Sequence, residues 1–194
     1  MNKTTISGTT PLSPDETAGL KLTHISTQAE LNRFEQDNIA SALDWVQKRK
    51  PKDILNELFI KLLHKKMFAL VWKWAGSFRK GDQNLGISWS GIPVEIRKLC
   101  DDTSYQIEHK SYETDEIAVR FHHRLVQIHP FPNGNGRHSR LLTDIMLEYV
   151  FQRPIFTWCG AELRKADNPR KQYIAALKAA DSGDIGPLLL FVRS

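Results

Sequence analysis

Cysteine and long apolar runs are the features that this sequence has least of. The 194-residue chain contains two cysteines, Cys100 and Cys159, which excludes a disulfide framework and a four-cysteine zinc site. No uncharged apolar stretch approaches the roughly 20 residues of a membrane-spanning helix. Residues 1–20 are rich in Thr, Ser and Pro and lack the apolar segment of a signal peptide. We therefore expect a cytoplasmic protein with no membrane partner.

A large excess of one charge is also missing. Lys and Arg number 27 against 22 Asp and Glu, and the net charge is +5. The densest basic run, residues 48–52 (KRKPK), lies at a proline-marked boundary and is typical of a solvated turn. A nucleic-acid partner is therefore not expected. A hydrophobic content of 41% and a charged content of 25% indicate a globular domain with a real core.

Apolar residues recur at helical spacing through most of the chain, which predicts a mainly α fold. The predicted helices cover residues 28–47, 51–76, 93–109, 115–129, 136–151, 170–180 and 185–192. Thr27 and Glu30 have the spacing of a capping box. Residues 84–92 (NLGISWSGI) alternate in part and predict a small β-hairpin flap. We expect a flexible extension over residues 1–22 and one domain over residues 23–194.

The loop between the fourth and fifth predicted helices, residues 129–140 (HPFPNGNGRHSR), carries the chemistry. Its prolines end one helix, and its glycines permit close backbone approach just before the next helix begins. Backbone N–H groups and a positive helix dipole at such a point favour a phosphate. Arg137 and Arg140, three positions apart, could bind further phosphate oxygens.

Two further side chains of this loop have functional interpretations. His129 has an ordinary pKa near neutrality and could accept a proton. Asn133 offers an amide oxygen to a hydrated Mg²⁺, although a neutral ligand is weaker than a carboxylate. Each feature alone has an ordinary structural explanation as a cap, a turn or a solvated side chain. Their combination within twelve residues is hard to assemble by accident and favours transfer chemistry at a phosphate-binding loop.

This segment resembles the signature of the Fic family, HxFx(D/E)GNGRxxR. It departs from the signature at Asn133, where most members have an acid. The resemblance extends from residue 23 to residue 191 and is strongest to the small Fic proteins called mobile mystery protein B. The stretches FRKGDQNLGISWSGIPVEI and YIAALKAADSGDIGPLL share in it. The matching motif residues are His129, Phe131, Gly134, Asn135, Gly136, Arg137 and Arg140.

The resemblance implies a Fic-type helical bundle that transfers AMP from ATP to a Ser, Thr or Tyr hydroxyl of a target protein. It implies that His129 is the general base and that Phe131 anchors the loop in the core. The anion hole would be formed by Gly134, Asn135 and Gly136. The β- and γ-phosphates would be held by Arg137 and Arg140, and Mg²⁺ by Asn133.

Further expectations concern the target and regulation. The flap resembles the hairpin with which Fic proteins align a target by β-augmentation, which implies a role for Ile87, Ser88 and Trp89. Many Fic proteins carry an inhibitory (S/T)xxxE(G/N) helix, and Ser26 with Glu30 is a partial match that is equally well explained by the capping box. Relatives on mobile elements are encoded beside a small helix-turn-helix protein, which makes such a regulator a candidate partner.

Two alternatives stay open beside adenylylation. Relatives of this kind also transfer phosphate, UMP or phosphocholine from the same loop, although the intact Gly134 and Gly136 favour AMP. The second alternative is a nucleotide-binding module of a toxin–antitoxin or mobile-element pair with little turnover. The amide at Asn133 is its best support.

Overall fold

The computed structural model describes residues 18–22, 24–160 and 169–194. Within this part of the chain the fold is helical, as the apolar spacing predicts. The α-helices are α1 Gln28–Arg49, α2 Glu57–Phe68, α3 Ile92–Glu108, α4 Thr114–Ile128, α5 Asn135–Ile145, α6 Pro169–Asp181 and α7 Gly186–Arg193. A π-helical turn, Met146–Val150, continues α5.

Helices α1 to α5 surround the main hydrophobic core. Helix α1 packs on α2, α3 on α4, and α4 on α5. Phe131, from the loop between α4 and α5, is fully buried in this core. A second apolar cluster joins α4 to the pair α6 and α7. The 129–140 loop therefore lies between two packed groups of helices.

Helix α1 has the capping box that the sequence predicts. The Thr27 side chain accepts a hydrogen bond from the Glu30 N–H, and the Glu30 carboxylate accepts one from the Thr27 N–H at 3.1 Å. Farther along, buried Asn38 fastens α1 to the end of α2. Its side chain donates to the Lys66 carbonyl and accepts from the Leu70 N–H at 2.9 and 3.0 Å.

The prediction of one long helix over residues 51–76 is wrong at both ends. Helix α2 begins after Asn56, whose side chain accepts a hydrogen bond from the Phe59 N–H at 2.8 Å, and not at Pro51. It ends at Phe68, because Asn38 takes the Leu70 N–H and Trp72 forms an antiparallel bridge with Leu20. Apolar periodicity continues beyond Phe68 although the helix does not.

The β-hairpin expected at residues 84–92, here called the flap segment, does not form. Its first residues are bends, and Trp89–Gly91 is a single 3₁₀ turn that leads into α3. Its backbone groups are bonded elsewhere: the Ile87 N–H donates to the Ile128 carbonyl at 3.4 Å, and the Trp89 N–H donates to Asp82 at 2.8 Å. These bonds occupy backbone N–H groups that the hydrogen bonds between the two strands of a hairpin would use.

The predicted flexible extension, residues 1–22, lies largely outside the described residues, because only its residues 18–22 are described. Residue 23 also lies outside the described part. Residues 18–22 contact the segment after α2: Leu20 is buried, and the Lys21 N–H donates to the Val71 carbonyl at 2.8 Å. Within the described residues, no helix is long and apolar enough to cross a membrane.

Candidate active site

His129 ends helix α4 in a strained backbone conformation. Its φ angle is 53°, in the left-handed region that costs a non-glycine residue of order 1 kcal/mol or more. Its N–H donates to the Leu125 carbonyl at 3.2 Å, and its carbonyl accepts from Arg79 Nε at 2.8 Å. These two bonds hold the residue where the chain leaves the helix.

The His129 ring is suited to accept a proton. Burial of the half-buried ring lowers its pKa below the ordinary value of 6.5, and the Arg79 charge lowers it further. A hydrogen bond to the Val126 backbone acts in the opposite direction and is smaller than the burial effect. At neutral pH the ring is therefore uncharged, as a general base must be.

Asn135 holds the motif loop in a closed shape. Its side chain accepts a hydrogen bond from the Phe131 N–H at 2.9 Å and donates to the Phe131 carbonyl at 2.8 Å. The side chain is buried, so these two bonds satisfy both of its polar ends. The structure therefore shows Asn135 as a clamp on the loop; only its backbone N–H remains for an anion.

His64 supports the same loop from helix α2, and sequence reasoning missed it. The Gly76 N–H donates to His64 Nδ1 at 2.9 Å, so the proton lies on Nε2, which donates to the Asn133 carbonyl at 3.1 Å. The ring stacks on Phe131 with centroids 3.7 Å apart. Burial holds the pKa of His64 well below its ordinary value. In the sequence this histidine is one residue on an apolar helix face, without a distinguishing signal.

Gly134 and Asn133 shape the start of helix α5. Gly134 has a φ angle of 79° and lies directly against the Phe68 ring. Asn133 is exposed, and its side-chain oxygen accepts a hydrogen bond from the Gly134 N–H at 2.6 Å. The first N–H groups of the helix, from Asn135 onward, have no partner within the helix. Unpaired N–H groups at a helix amino terminus favour an anion, and the anion hole at residues 134–136 stays a prediction.

Arg137 is bound by an acidic residue of helix α1. Its Nη1 lies 2.6 Å from Glu35 Oε2, and its guanidinium packs on the Phe68 ring. Glu35 is 3% exposed, and its other oxygen accepts a hydrogen bond from Trp72 Nε1 at 2.7 Å. No motif connects Glu35 with Arg137, 102 positions later, so the sequence offers no signal for this pair.

Arg140 contacts a different part of the chain from Arg137. Its guanidinium lies over the rings of Tyr173 and Trp158, with its central carbon 4.5 and 5.8 Å from the ring centroids. Its Nε is buried without a hydrogen-bond partner. Tyr173 also hydrogen-bonds the buried ring of His122 at 2.8 Å. These aromatic residues position Arg140 beside α6.

Glu30 and Ser26, the partial match to an inhibitory helix, lie in the capping box. The Glu30 carboxylate accepts hydrogen bonds from the Ser26 and Thr27 N–H groups, both at 3.1 Å. These bonds lower the pKa of Glu30. The residue of α1 that meets a motif arginine is Glu35, one helical turn and a half farther on.

The residues expected to contact a target differ in how far they are exposed. Ile87 is half-buried, whereas Ser88 and Trp89 are exposed. The Ile87 carbonyl accepts from Arg79, and the Ser88 carbonyl accepts from the Gly91 N–H. The N–H and carbonyl groups of Ile87 and the carbonyl of Ser88 are thus already bonded within the chain, and β-augmentation by a target stays a prediction.

Comparison with known proteins identifies the class. Residues 54–147 match the sequence model of the Fic/DOC family, and they contain the whole motif loop. This part of the chain is a domain of the Fic/DOC family.

Relatives of known name are similar over much of the chain. A probable protein adenylyltransferase of Sinorhizobium fredii is 26% identical over 178 residues, which cover 88% of this chain and 86% of that protein. The protein adenylyltransferase Fic of Drosophila mojavensis is 27% identical over 82% of this chain, and that of Drosophila grimshawi is 39% identical over 60%. The matches span 32% and 23% of those two insect proteins.

Solved structures have the same fold. The N-terminal Fic domain of Bep8 from Bartonella sp. 1-1C matches with a TM-score of 0.70 at 14% identity, over 91% of this chain and 90% of that one. BepC from Bartonella tribocorum, solved with bound AMPPNP, matches with a TM-score of 0.66 at 17% identity, over 97% and 93%. The expected Fic-type helical fold is confirmed.

Gly134→Ala should lower the free energy of unfolding by roughly 1–3 kcal/mol. The added Cβ would lie 2.6 Å from the Phe68 ring at a residue whose φ angle is positive. Gly136→Ala is the matched control, because its Cβ would meet no atom within 4 Å and alanine is favoured in a helix. Urea denaturation measures both; equal stability of the two variants would contradict the geometry described for Gly134.

Proposed function

We propose that this chain is a protein adenylyltransferase that transfers AMP from ATP to a Ser, Thr or Tyr hydroxyl of a target protein. The observation that carries the proposal is the half-buried His129 at the end of helix α4, directly before a loop that opens helix α5 with free N–H groups. Relatives that carry the name protein adenylyltransferase support it. So does the AMPPNP bound to a protein of the same fold.

The reaction uses the site as follows. His129 accepts the proton of the target hydroxyl, whose oxygen attacks the α-phosphorus of ATP. The bond between the α-phosphorus and the bridging oxygen breaks, and pyrophosphate leaves with that electron pair. The N–H groups of residues 135 and 136 and the helix dipole stabilise the negative charge on the phosphates. The product is a phosphodiester between AMP and the target.

Arg137 and Arg140 hold the leaving phosphates in this proposal. Arg137 binds the β-phosphate region and must exchange Glu35 for phosphate oxygens. Arg140 binds the γ-phosphate, and its buried, unpartnered Nε is a donor still to be satisfied. The pairing of Arg137 with Glu35 also favours the second candidate, a nucleotide-binding module with little turnover, because it opposes productive phosphate binding.

Mg²⁺ fits the site with Asn133 as its protein ligand. The side chain is exposed at the loop, and Mg²⁺ commonly uses few protein ligands together with substrate phosphates and water. When bound, the ion would neutralise phosphate charge. Asn133 would then release the Gly134 N–H, which becomes available to the anion.

The target contacts the flap segment through side chains in this proposal. Trp89 and the neighbouring Leu85 are 45% and 67% exposed, whereas the main-chain groups of Ile87 are bonded inside the protein.

A mobile-element or toxin–antitoxin setting, with a small helix-turn-helix regulator as partner, follows from the resemblance to the mobile mystery protein B group. We extend the Fic domain to residues 23–194, because α1 supplies Glu35.

His129→Ala should reduce AMP transfer by a factor of about 10² to 10⁴, because the general base is lost, while ATP binding stays nearly unchanged. Incorporation of label from [α-³²P]ATP into proteins of a cell lysate measures transfer, and calorimetry measures binding. His109→Ala, at the exposed residue that caps the carboxyl end of α3, is the control. Because burial lowers the His129 pKa, the wild-type rate should stay level near neutrality and fall only below about pH 6.5. Full transfer by His129→Ala would refute the assignment.

Glu35→Gln should strengthen ATP binding by roughly ten- to a hundredfold, the equivalent of a charge-assisted hydrogen bond freed at Arg137. The glutamine keeps an oxygen for Trp72 Nε1, so the packing of α1 is preserved. Glu30→Gln is the matched control: its side-chain oxygen can still accept from the N-cap N–H in the capping box, so it should leave both the melting temperature and the ATP affinity nearly unchanged. Unchanged ATP affinity in Glu35→Gln would remove Glu35 from this account.

Asn133→Asp should make ATP binding more dependent on Mg²⁺, because a carboxylate adds charge where the cation meets the phosphates. An aspartate also keeps the oxygen that accepts from the Gly134 N–H. ATP titrations at increasing Mg²⁺, with an EDTA-treated sample as reference, measure the effect. Identical Mg²⁺ dependence of the variant and the wild type would show that residue 133 does not hold the cation.

A further inference from the structure

Arg79 is a buried arginine that binds both the flap segment and the end of helix α4. It is 4% exposed. Its Nε donates to the His129 carbonyl at 2.8 Å, and its Nη2 donates to the Ile87 carbonyl and, at 3.5 Å, to the Ile128 carbonyl. Its backbone N–H donates to the Pro130 carbonyl at 2.9 Å. One residue therefore supplies donors to three successive carbonyls at the end of α4.

Carbonyl groups provide most of the compensation for this buried charge. The nearest carboxylate is that of Asp82, 3.7 Å from Nη1, and its side chain is 66% exposed. Nη1 also donates to the Gly81 carbonyl at 2.9 Å. The carboxyl end of a helix carries partial negative charge and favours a cation. A planar guanidinium reaches several carbonyls at once, which a lysine ammonium cannot do in the same geometry.

The flap segment lies directly against His129 as a result. A Cβ added at Gly86 would lie 2.7 Å from Arg79 Nη2 and 2.7 Å from the His129 Cβ. The Ile87 N–H also donates to the Ile128 carbonyl. A displacement of this segment must therefore break bonds to the residues that set the backbone of His129.

We propose that Arg79 is a positioning residue that couples the flap segment to His129. Its guanidinium holds the His129 carbonyl in the left-handed turn and the Ile87 carbonyl in the segment that faces the target. The placement of the base and of the target-contacting segment then depends on one side chain. The functional meaning of this coupling rests on the proposed adenylyl transfer, but the coupling itself is a property of the folded chain.

The Arg79 charge has a second effect on the same ring. It lowers the pKa of His129, adding to the larger effect of burial. Asp82, mostly exposed, is the acidic group nearest to this charge, 3.7 Å from Arg79 Nη1. Removal of the guanidinium should therefore raise the pKa of His129 as well as release the flap segment. Arg79→Lys should preserve the positive charge and lose the planar set of donors of the guanidinium. This variant therefore separates the effect of the charge on the His129 pKa from the release of the flap segment.

The test compares Arg79→Met and Arg79→Lys with the wild type by NMR. In both variants the Ile87 amide should exchange with solvent at least about tenfold faster, because its segment is released. The His129 ring pKa should rise in both variants, because release of the flap segment reduces its burial, and should rise more in Arg79→Met, which also removes the charge. Arg97→Met, at an exposed position on α3, is the control and should change neither quantity.

Activity gives the third measurement. Both Arg79 variants should lose kcat for AMP transfer with little change in ATP affinity, because Asn135 closes the nucleotide loop independently. Unchanged Ile87 exchange in folded Arg79→Lys would overturn the proposal. If Arg79→Met does not fold, the lysine variant and protection of the Arg79 Nε–H in the wild type still decide it. A wild type that transfers no AMP would refute the proposed function alone, since neither NMR measurement requires turnover.

Discussion

The hydrogen bonds from Arg79 to the carboxyl end of helix α4 are the interaction on which the site depends. The last carbonyls of a helix have no partners within it, and here they are buried under the flap segment. Arg79 satisfies those of Ile128, His129 and Pro130. This support stabilises the left-handed conformation of His129 at the helix end, directly before the motif loop.

The loop beyond His129 is held by neutral polar side chains and not by charged pairs. Asn135 closes it upon Phe131, and His64 binds the Asn133 carbonyl while stacking on Phe131. Neutral clamps leave the positive end of α5 available for an anion. The charged groups, Arg137 and Arg140, extend to either side, toward α1 and toward α6. In the proposed function, nucleotide binding requires Arg137 to exchange Glu35 for phosphate oxygens.

Local patterns predicted the helices well and their ends less well. The spacing of apolar residues indicated every α-helix of the described part, because burial of one face imposes that spacing. Helix α2 is shorter than predicted, because Asn38 and Leu20, distant in sequence, bind the residues that follow Phe68. The flap segment illustrates the same limit: its alternation indicated a hairpin, but Arg79, Asp82 and Ile128 took its backbone groups.

The sequence by itself indicated the chemistry proposed for the site. Prolines, glycines, a histidine and two arginines within twelve residues predict a helix end, a turn and a new helix amino terminus, and these features are local. Only the tertiary structure decided which side chains support and oppose that chemistry. His64, Arg79 and Glu35 meet the loop across 69, 50 and 102 positions of sequence. Packing brings such residues together, and no short pattern records it, because each contact depends on how several helices are stacked.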